Sequence, residues 1–199
     1  MVQTNNDQYI VTPDNGTLTH IYYKLGIKSI REIDEKINRL PRSGASHTFH
    51  GRDIYAYTGA RLAAGIIPFE KIGPELKVED TVTLPFSEAK HTDNMISGTI
   101  DILDIRFGNL WTNISRELFL QLNVEYGDAI EVEIVYDSRR IYRNNVTFGR
   151  SFASIQVGEP VFYVNSLDNM AVAINQGSFA KAYNVGTGSN WKIYLRKLK

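Results

Sequence analysis

The chain has no cysteine among its 199 residues. That absence excludes a disulfide framework, a thiolate zinc site, an iron–sulfur cluster and a cysteine nucleophile, and it fits a reducing compartment. Neither charge is in excess: 22 Lys and Arg stand against 22 Asp and Glu. Electrostatic grips on nucleic acid or anionic lipid need a basic surplus, so neither is the main task of this chain. No apolar run reaches the roughly 18–20 residues of a membrane span. The opening MVQTNNDQYIV lacks the basic flank and apolar core of a signal peptide. No G-x-G-x-x-G or Walker-type loop occurs, and no H-x-H or H-E-x-x-H spacing, which argues against phosphate-loop and metal chemistry. The expectation is a cytoplasmic protein with no membrane, nucleic-acid or metal partner.

At 43% apolar residues the chain can build a core without a covalent or metal staple. The front alternates between strand and helix signals. QYIV (Gln8–Val11) reads as a short strand ended by the turn Pro13-Asp14-Asn15-Gly16. Leu18–Leu25 and Ile33–Leu40 read as helices, with the strand Lys28–Ile33 between them. After a loop over Ser43–Arg52, an Ala-rich helix starts at Asp53 as N-cap and stops at Gly65. This order is that of layered α/β structure. Glu70–Asp93 reads as a surface linker. Beyond it short strands recur at Ser97–Ile105, Ala129–Tyr136, Pro160–Asn165, Ala171–Ile174 and Trp191–Arg196, separated by turn residues, as in a small β-barrel or sandwich.

Three segments hold residues suited to chemistry. Ser46-His47-Thr48-Phe49-His50-Gly51-Arg52-Asp53 leads into the Ala-rich helix, where free N–H groups suit polar ligands and a neutral His50 can take a proton near pH 7. The same segment also reads as a structural cap with an Arg52–Asp53 ion pair. Asp104 to Asn113 closes a strand with a tight turn that presents Asp104, Asn109 and Trp111. Asn can pair with the N6/N7 edge of adenine, and Trp offers a stacking face. Equally, Gly108-Asn109 suits a plain hairpin, with Trp111 in the core. Finally, Phe152 precedes a strand–turn–strand run from Gly158 to Gly177, which also suits an ordinary β-meander.

Taken together, TPDNGTLT (Thr12–Thr19), TFHGRD (Thr48–Asp53), FGNLWTN (Phe107–Asn113), and GEPVFYVNS with AINQG (Gly158–Gly177) resemble one family in order and spacing. They look like the S-adenosylmethionine hydroxide adenosyltransferases, relatives of the fluorinase and chlorinase enzymes. The resemblance runs from Tyr9 to near the end of the chain. It implies a partial N-terminal three-layer α/β domain (residues 1–73), a linker (74–93) and a C-terminal β-barrel domain (94–199). It also implies hydrolysis of S-adenosylmethionine, the substrate, to adenosine and methionine without a further cofactor, in a homotrimer whose sites lie between subunits. By motif, His50 matches the His of the water-activating group. Asp104 and Ser166 match positions near the methionine portion, and Asn109 and Phe152 match adenine contacts. Thr48, Phe49 and Trp111 line the same pocket, and Gln176 lies where main-chain groups meet adenine. Leu167 stands where the halogenases carry Arg, which favours the hydroxide-using branch.

The sequence also departs from the family. The Asp-Pro-Gly-Val-Gly-x-x-Arg segment, which supplies an Asp and an Arg to the water-activating group, does not occur. An acidic residue on the first strand that clamps the ribose is absent too. The reading is therefore an N-terminally incomplete family member, whose 199 residues alone are expected to turn over little or no substrate. The rival reading is a non-catalytic adenosine- or S-adenosylmethionine-binding or interaction protein. RNA binding through the barrel is a third, which the neutral charge disfavours.

Overall fold

The computed structural model describes residues 1–45 and 47–198, which divide into two compact units, Met1–Leu84 and Pro85–Lys199. In the first unit Met1 and Val2 are adjacent in the chain yet buried in different apolar clusters, as the alternation of extended backbone requires. Val2–Thr4 (β1) is the centre of this unit. It pairs antiparallel with Tyr9–Ile10 (β2) on one edge and Ile27–Arg31 (β3) on the other. Glu75–Leu76 (β4) adds to β3, giving the antiparallel order β2-β1-β3-β4. Thr19–Lys24 (α1), Glu35–Asn38 (α2) and Tyr57–Ala63 (α3) are short helices around this sheet.

The Ala-rich helix differs from expectation at its start. It enters two residues earlier, as a π-helical turn over Gly51–Ala56 that continues into α3. Asp53 therefore lies inside the helix and is fully buried, so it caps nothing. The end is as the sequence indicates. Gly65 takes φ +69°, its N–H reaches the Leu62 carbonyl at 2.9 Å, and the Ile66 N–H reaches that of Arg61 at 2.8 Å. These two bonds form the left-handed stop that favours glycine. The buried Asn38 ties the neighbouring pieces together: its Nδ2 donates to the Ile72 carbonyl at 2.7 Å, and its Oδ1 accepts from Arg61 at 2.9 Å. The expected linker over Glu70–Asp93 also needs correction, because it supplies β4 to the first sheet and Lys90–Thr92 (β5) to the second.

The second unit is a closed β-barrel. Its strands are Met95–Asp104 (β6), Asn109–Ser115 (β7), Ala129–Tyr136 (β8), Arg139–Phe148 (β9), Pro160–Val164 (β10), Asn169–Ile174 (β11) and Gly188–Lys197 (β12). The order β12-β8-β9-β10-β11-β7-β6 returns to β12, which pairs antiparallel with both β8 and β6. β5 lies outside the ring, on the stretch of β6 that β7 does not use. Sequence patterning missed β1, β7 and β9. β9 carries Arg and Asn at its outward positions, and the buried positions of β7 include Asn109 and Thr112.

Alternation fills the barrel. Ile130, Val132 and Ile134 of β8 and Ile193 and Leu195 of β12 point into one core cluster with Phe148 and Phe162. Phe119, from the short helix Arg116–Leu120 (α4), closes it, with ring centroids 4.9 Å from Phe148 and 5.0 Å from Phe162. Outside, Glu131 and Glu133 of β8 meet Arg143 and Arg140 of β9 and Arg196 of β12 at 2.7–3.0 Å, a charge ladder across three adjacent strands.

Removing the Phe119 ring leaves a cavity among fully buried neighbours. Phe119→Ala is expected to lower the unfolding free energy by about 3–5 kcal/mol, whereas Val157→Ala at an exposed position stays within about 0.5 kcal/mol. Urea denaturation followed by circular dichroism reads both, and similar values for the two would contradict this account of the core.

Candidate functional site

The barrel unit contains a cavity of about 590 Å³ beside the turn from β6 into β7, within the usual range for small-molecule sites. The turn from β6 into β7 supplies one side. The Asp104 carbonyl accepts from the N–H groups of Phe107 (3.2 Å) and Gly108 (2.6 Å), and its carboxylate Oδ1 accepts from the Arg106 N–H at 3.2 Å. The backbone closes at Gly108, which has φ +72°. A Cβ there would lie 1.9 Å from the Ser178 Oγ, so only glycine lets the turn and the helix start approach this closely. The Gly108 carbonyl then accepts from the Ala180 N–H at 3.0 Å, fixing the short helix Phe179–Tyr183 (α5) against the turn. Ile105 and Phe107 stand out from the turn at 91% and 64% exposure, an apolar rim.

Asn109, Phe152, Asn175 and Gln176 line the cavity. Asn109 is 3% exposed; its Nδ2 donates to the Tyr163 hydroxyl at 3.2 Å, while its Oδ1 has no hydrogen-bond partner. Phe152 packs on Tyr163 with ring centroids 5.3 Å apart. Gln176 sits at φ +57°, beside an Asn175 anchored by its Nδ2 to the Ile155 carbonyl at 3.1 Å. Register explains how Tyr163 comes behind this wall. Tyr163 of β10 lies opposite Ala171 of β11, which in turn lies opposite Trp111 of β7. The small Ala171 leaves room between two large rings. Burial pushes the Tyr163 phenol up, and the Trp111 and Asn109 side chains beside it pull it back down. The Trp111 Nε1–H completes no hydrogen bond of its own.

The structure thus brings Asn109, Phe152 and Gln176 to one cavity, with Asp104 heading the turn that forms its rim and Trp111 behind it beside Tyr163. Ser166 is exposed in the turn between β10 and β11 and is not among the lining residues. Tyr163 was not singled out by sequence. It lies within GEPVFYVNS, but its importance depends on the pairing of three strands, which patterning alone does not supply.

In the first unit, His50 stands just before the π-helical turn and is exposed. It shares a cavity of about 470 Å³ with Pro13, Asp14, Arg31, Glu35 and Tyr55. Thr48 and Phe49 are exposed beside it, and the Arg52 guanidinium lies 4.8 Å over the Phe49 ring. Arg52 also grips the buried Asp53 carboxylate through Nε at 2.5 Å and a second N–H at 3.0 Å. The ion pair foreseen in this segment is present, without the cap. Among the described residues no group of three His, Asp or Glu could hold a metal ion, and no helix is long and apolar enough to cross a membrane.

Comparison with known proteins agrees with the motifs. Residues 1–73 match the model of the SAM hydroxide adenosyltransferase N-terminal domain, and residues 98–192 that of its C-terminal domain. A fluorinase of Actinopolyspora mzabensis is 30% identical over 92% of this chain and 60% of its own length. An (R)-S-adenosyl-L-methionine hydrolase of Salinispora tropica is 30% identical over 94% of this chain and 66% of its own. The crystal structure of an uncharacterized conserved protein from Thermotoga maritima superposes with a TM-score of 0.79 at 31% identity, covering 98% of this chain and 70% of that one. The chain belongs to the SAM hydroxide adenosyltransferase family. It spans about three fifths of the length of the fluorinases it matches.

The hydrogen bonds from Arg52 hold the Asp53 carboxyl below the usual carboxylate range. A depressed folded-state value means that the stabilisation is fully present above the unfolded carboxylate value of about 4 and is lost as pH falls through the lower folded value. The difference in melting temperature between wild type and Asp53→Asn is therefore expected to be largest near neutral pH and to shrink on acidification. A difference that stays constant from about pH 7 to about pH 3 would contradict it.

Proposed function

We propose that the whole protein hydrolyses S-adenosylmethionine to adenosine and methionine. The observation that carries this reading is the gathering of Asn109, Phe152 and Gln176 around one cavity of the barrel, in a chain whose two units each contain a matched domain of the family. The cavity suits a nucleoside: Asn109 offers an amide to a purine edge, Phe152 offers an aromatic face, and Gln176 and Gly177 offer main-chain groups.

The chemistry asks little of acid catalysis. Water attacks C5′ in line with the sulfonium, the C5′–O bond forms as the C5′–S bond breaks, and the bond pair leaves with sulfur as the neutral thioether of methionine. The attacking water gives up one proton, for which His50 is the proposed acceptor. Alignment of water with C5′ and exclusion of competing solvent supply the remaining acceleration. Thr48 and Phe49 beside His50, and Asp104, Trp111 and Ser166 on the barrel, are the proposed further substrate contacts. We place the reaction in the cytoplasm, in a homotrimer. The first unit is taken as part of a three-layer α/β domain, because its sheet buries apolar clusters containing both Met1 and Val2.

Incubating the whole protein with S-adenosylmethionine in ¹⁸O-water is expected to give adenosine and methionine in equal amounts, with label on the adenosine 5′-oxygen. His50→Ala is expected to slow turnover by about 10²-fold or more. Undiminished turnover in that variant removes His50 from the mechanism. Adenosine bound without turnover favours the non-catalytic binding protein, and light scattering at the mass of three chains reads the trimer.

A further inference from the structure

The β8–β9 hairpin, the end of α5 and the start of β12 meet at a place where aromatic rings and arginines are gathered. β8 closes on Tyr136 and β9 opens on Arg139 and Arg140, with Asp137 at φ +51° in the turn between them. β12 runs alongside, so its Trp191 lies opposite Tyr136, and the two ring centroids stand 4.7 Å apart. The turn is tied down by the Asp137 N–H, which donates to the Asn190 carbonyl at 2.9 Å. In α5, Asn184 at φ +51° stops the helix, and Tyr183 is braced by the Phe179 and Tyr142 rings, each at 4.7 Å. The loop onward passes close to the indole, since a Cβ at Gly186 would lie 2.8 Å from the Trp191 Nε1. Tyr136, Arg139, Arg140, Tyr183, Asn184 and Trp191 line a cavity of about 670 Å³ here, a volume within the range of small-molecule sites.

Tyr136 and Tyr183 are exposed although both are large rings, and no acidic residue lines the cavity. Among the described residues Arg139 forms no ion pair. Arg140 bonds to Glu133 at 2.8 Å, but Arg196 shares that carboxylate. Over the ladder and the hairpin turn, Arg139, Arg140, Arg143 and Arg196 stand against Glu131, Glu133 and Asp137, which leaves one positive charge in excess. Guanidinium groups bind carboxylates and phosphates through paired N–H bonds, and Tyr and Trp faces stack flat rings. We propose that this cavity is a ligand site for a planar ring bearing an anionic group, with the anion on Arg139 and Arg140 and the ring against Tyr136, Tyr183 and Trp191. Asn184 offers an amide to a polar edge of the same ligand. Nucleoside phosphates and aromatic carboxylic acids share this chemistry. The site stands or falls independently of the nucleoside reading of the Asn109 cavity, with which it shares no lining residue.

Calorimetric titration of the protein with two ligand series tests the site. One series is uridine 5′-phosphate with uridine and inorganic phosphate; the other is 4-hydroxyphenylacetate with p-cresol and acetate. In at least one series the ring-bearing anion is expected to bind about tenfold or more tighter than either part alone, because joining the parts makes the second contact intramolecular. The tighter of the two ring-bearing anions identifies the source as nucleotide or aromatic acid. Arg139→Ala is expected to weaken that ligand by about fivefold or more, with thermal melting reporting the fold of the variant. The chain has two tryptophans, so their indole N–H signals in an NMR spectrum locate the ligand: the Trp191 signal is expected to shift and the Trp111 signal to stay. If Arg139→Ala does not fold, these signals and the wild-type titrations decide. In both series, a ring-bearing anion no tighter than its ring or its anion alone reduces the cavity to a patch of charge or of rings and overturns the proposal. A shift at Trp111 alone places the ligand elsewhere and overturns it, as does a folded Arg139→Ala that keeps full affinity. Absence of binding by both ring-bearing anions at about 10 mM overturns it outright.

Discussion

β12 hydrogen-bonds to β8 along one edge and to β6 along the other, and the barrel depends on that double pairing. Without it the sheet would be open, with two long exposed edges that invite pairing with other chains. With it, the inward residues of seven strands face a common centre, and the phenylalanines at positions 119, 148 and 162 fill that centre. Closure also sets one wall of the cavity. The row Tyr163–Ala171–Trp111 crosses three strands in a register that the pairings of β10, β11 and β7 define. The cavity residues are thus carried by a rigid frame and by two tight turns anchored to it, a suitable base for recognising a flat, polar ligand.

The zero net charge takes on a local meaning in the structure. Part of the balance is struck within the barrel surface, where Glu131 and Glu133 are each met by two arginines. Arg143 and Arg196 hold Glu131 below the usual carboxylate range. Such partly exposed pairs contribute modestly to stability. They do keep five charged side chains on neighbouring strands in mutually satisfied positions.

Much of this was legible in the sequence, and the gaps have physical causes. Strands whose inward positions are plainly apolar, such as β8 with Ile130, Val132 and Ile134, announce themselves by alternation. β7 does not, because Asn109 and Thr112 occupy buried positions and find their bonds through Tyr163 and the Met170 carbonyl. The two-residue strand β4 exists through pairing with β3, which propensity cannot reveal, whereas β2 falls within the strand read over Gln8–Val11. Asp53 resembles a helix cap in sequence because capping residues and buried ion-paired residues share the same chemistry. The π-helical entry, set by the fold around it, decides between them. Motif order drew attention to Asn109, Phe152 and Gln176, which line one cavity of the barrel, whereas the state of each polar atom, bonded or orphaned, is visible only in three dimensions.

Among the described residues the ring contains one parallel contact, between β9 and β10. Its presence is a matter of parity. Strands that alternate direction around a closed ring return to the starting direction only if their number is even, and this ring has seven. One neighbouring pair must therefore run the same way. A hairpin cannot join such a pair, so the chain makes a longer excursion between Phe148 and Pro160 before resuming. Phe152 lies on that excursion and reaches the cavity from it. An odd strand count thus obliges the chain to carry a non-hairpin loop at the rim, and in this protein that loop brings an aromatic ring to the cavity wall.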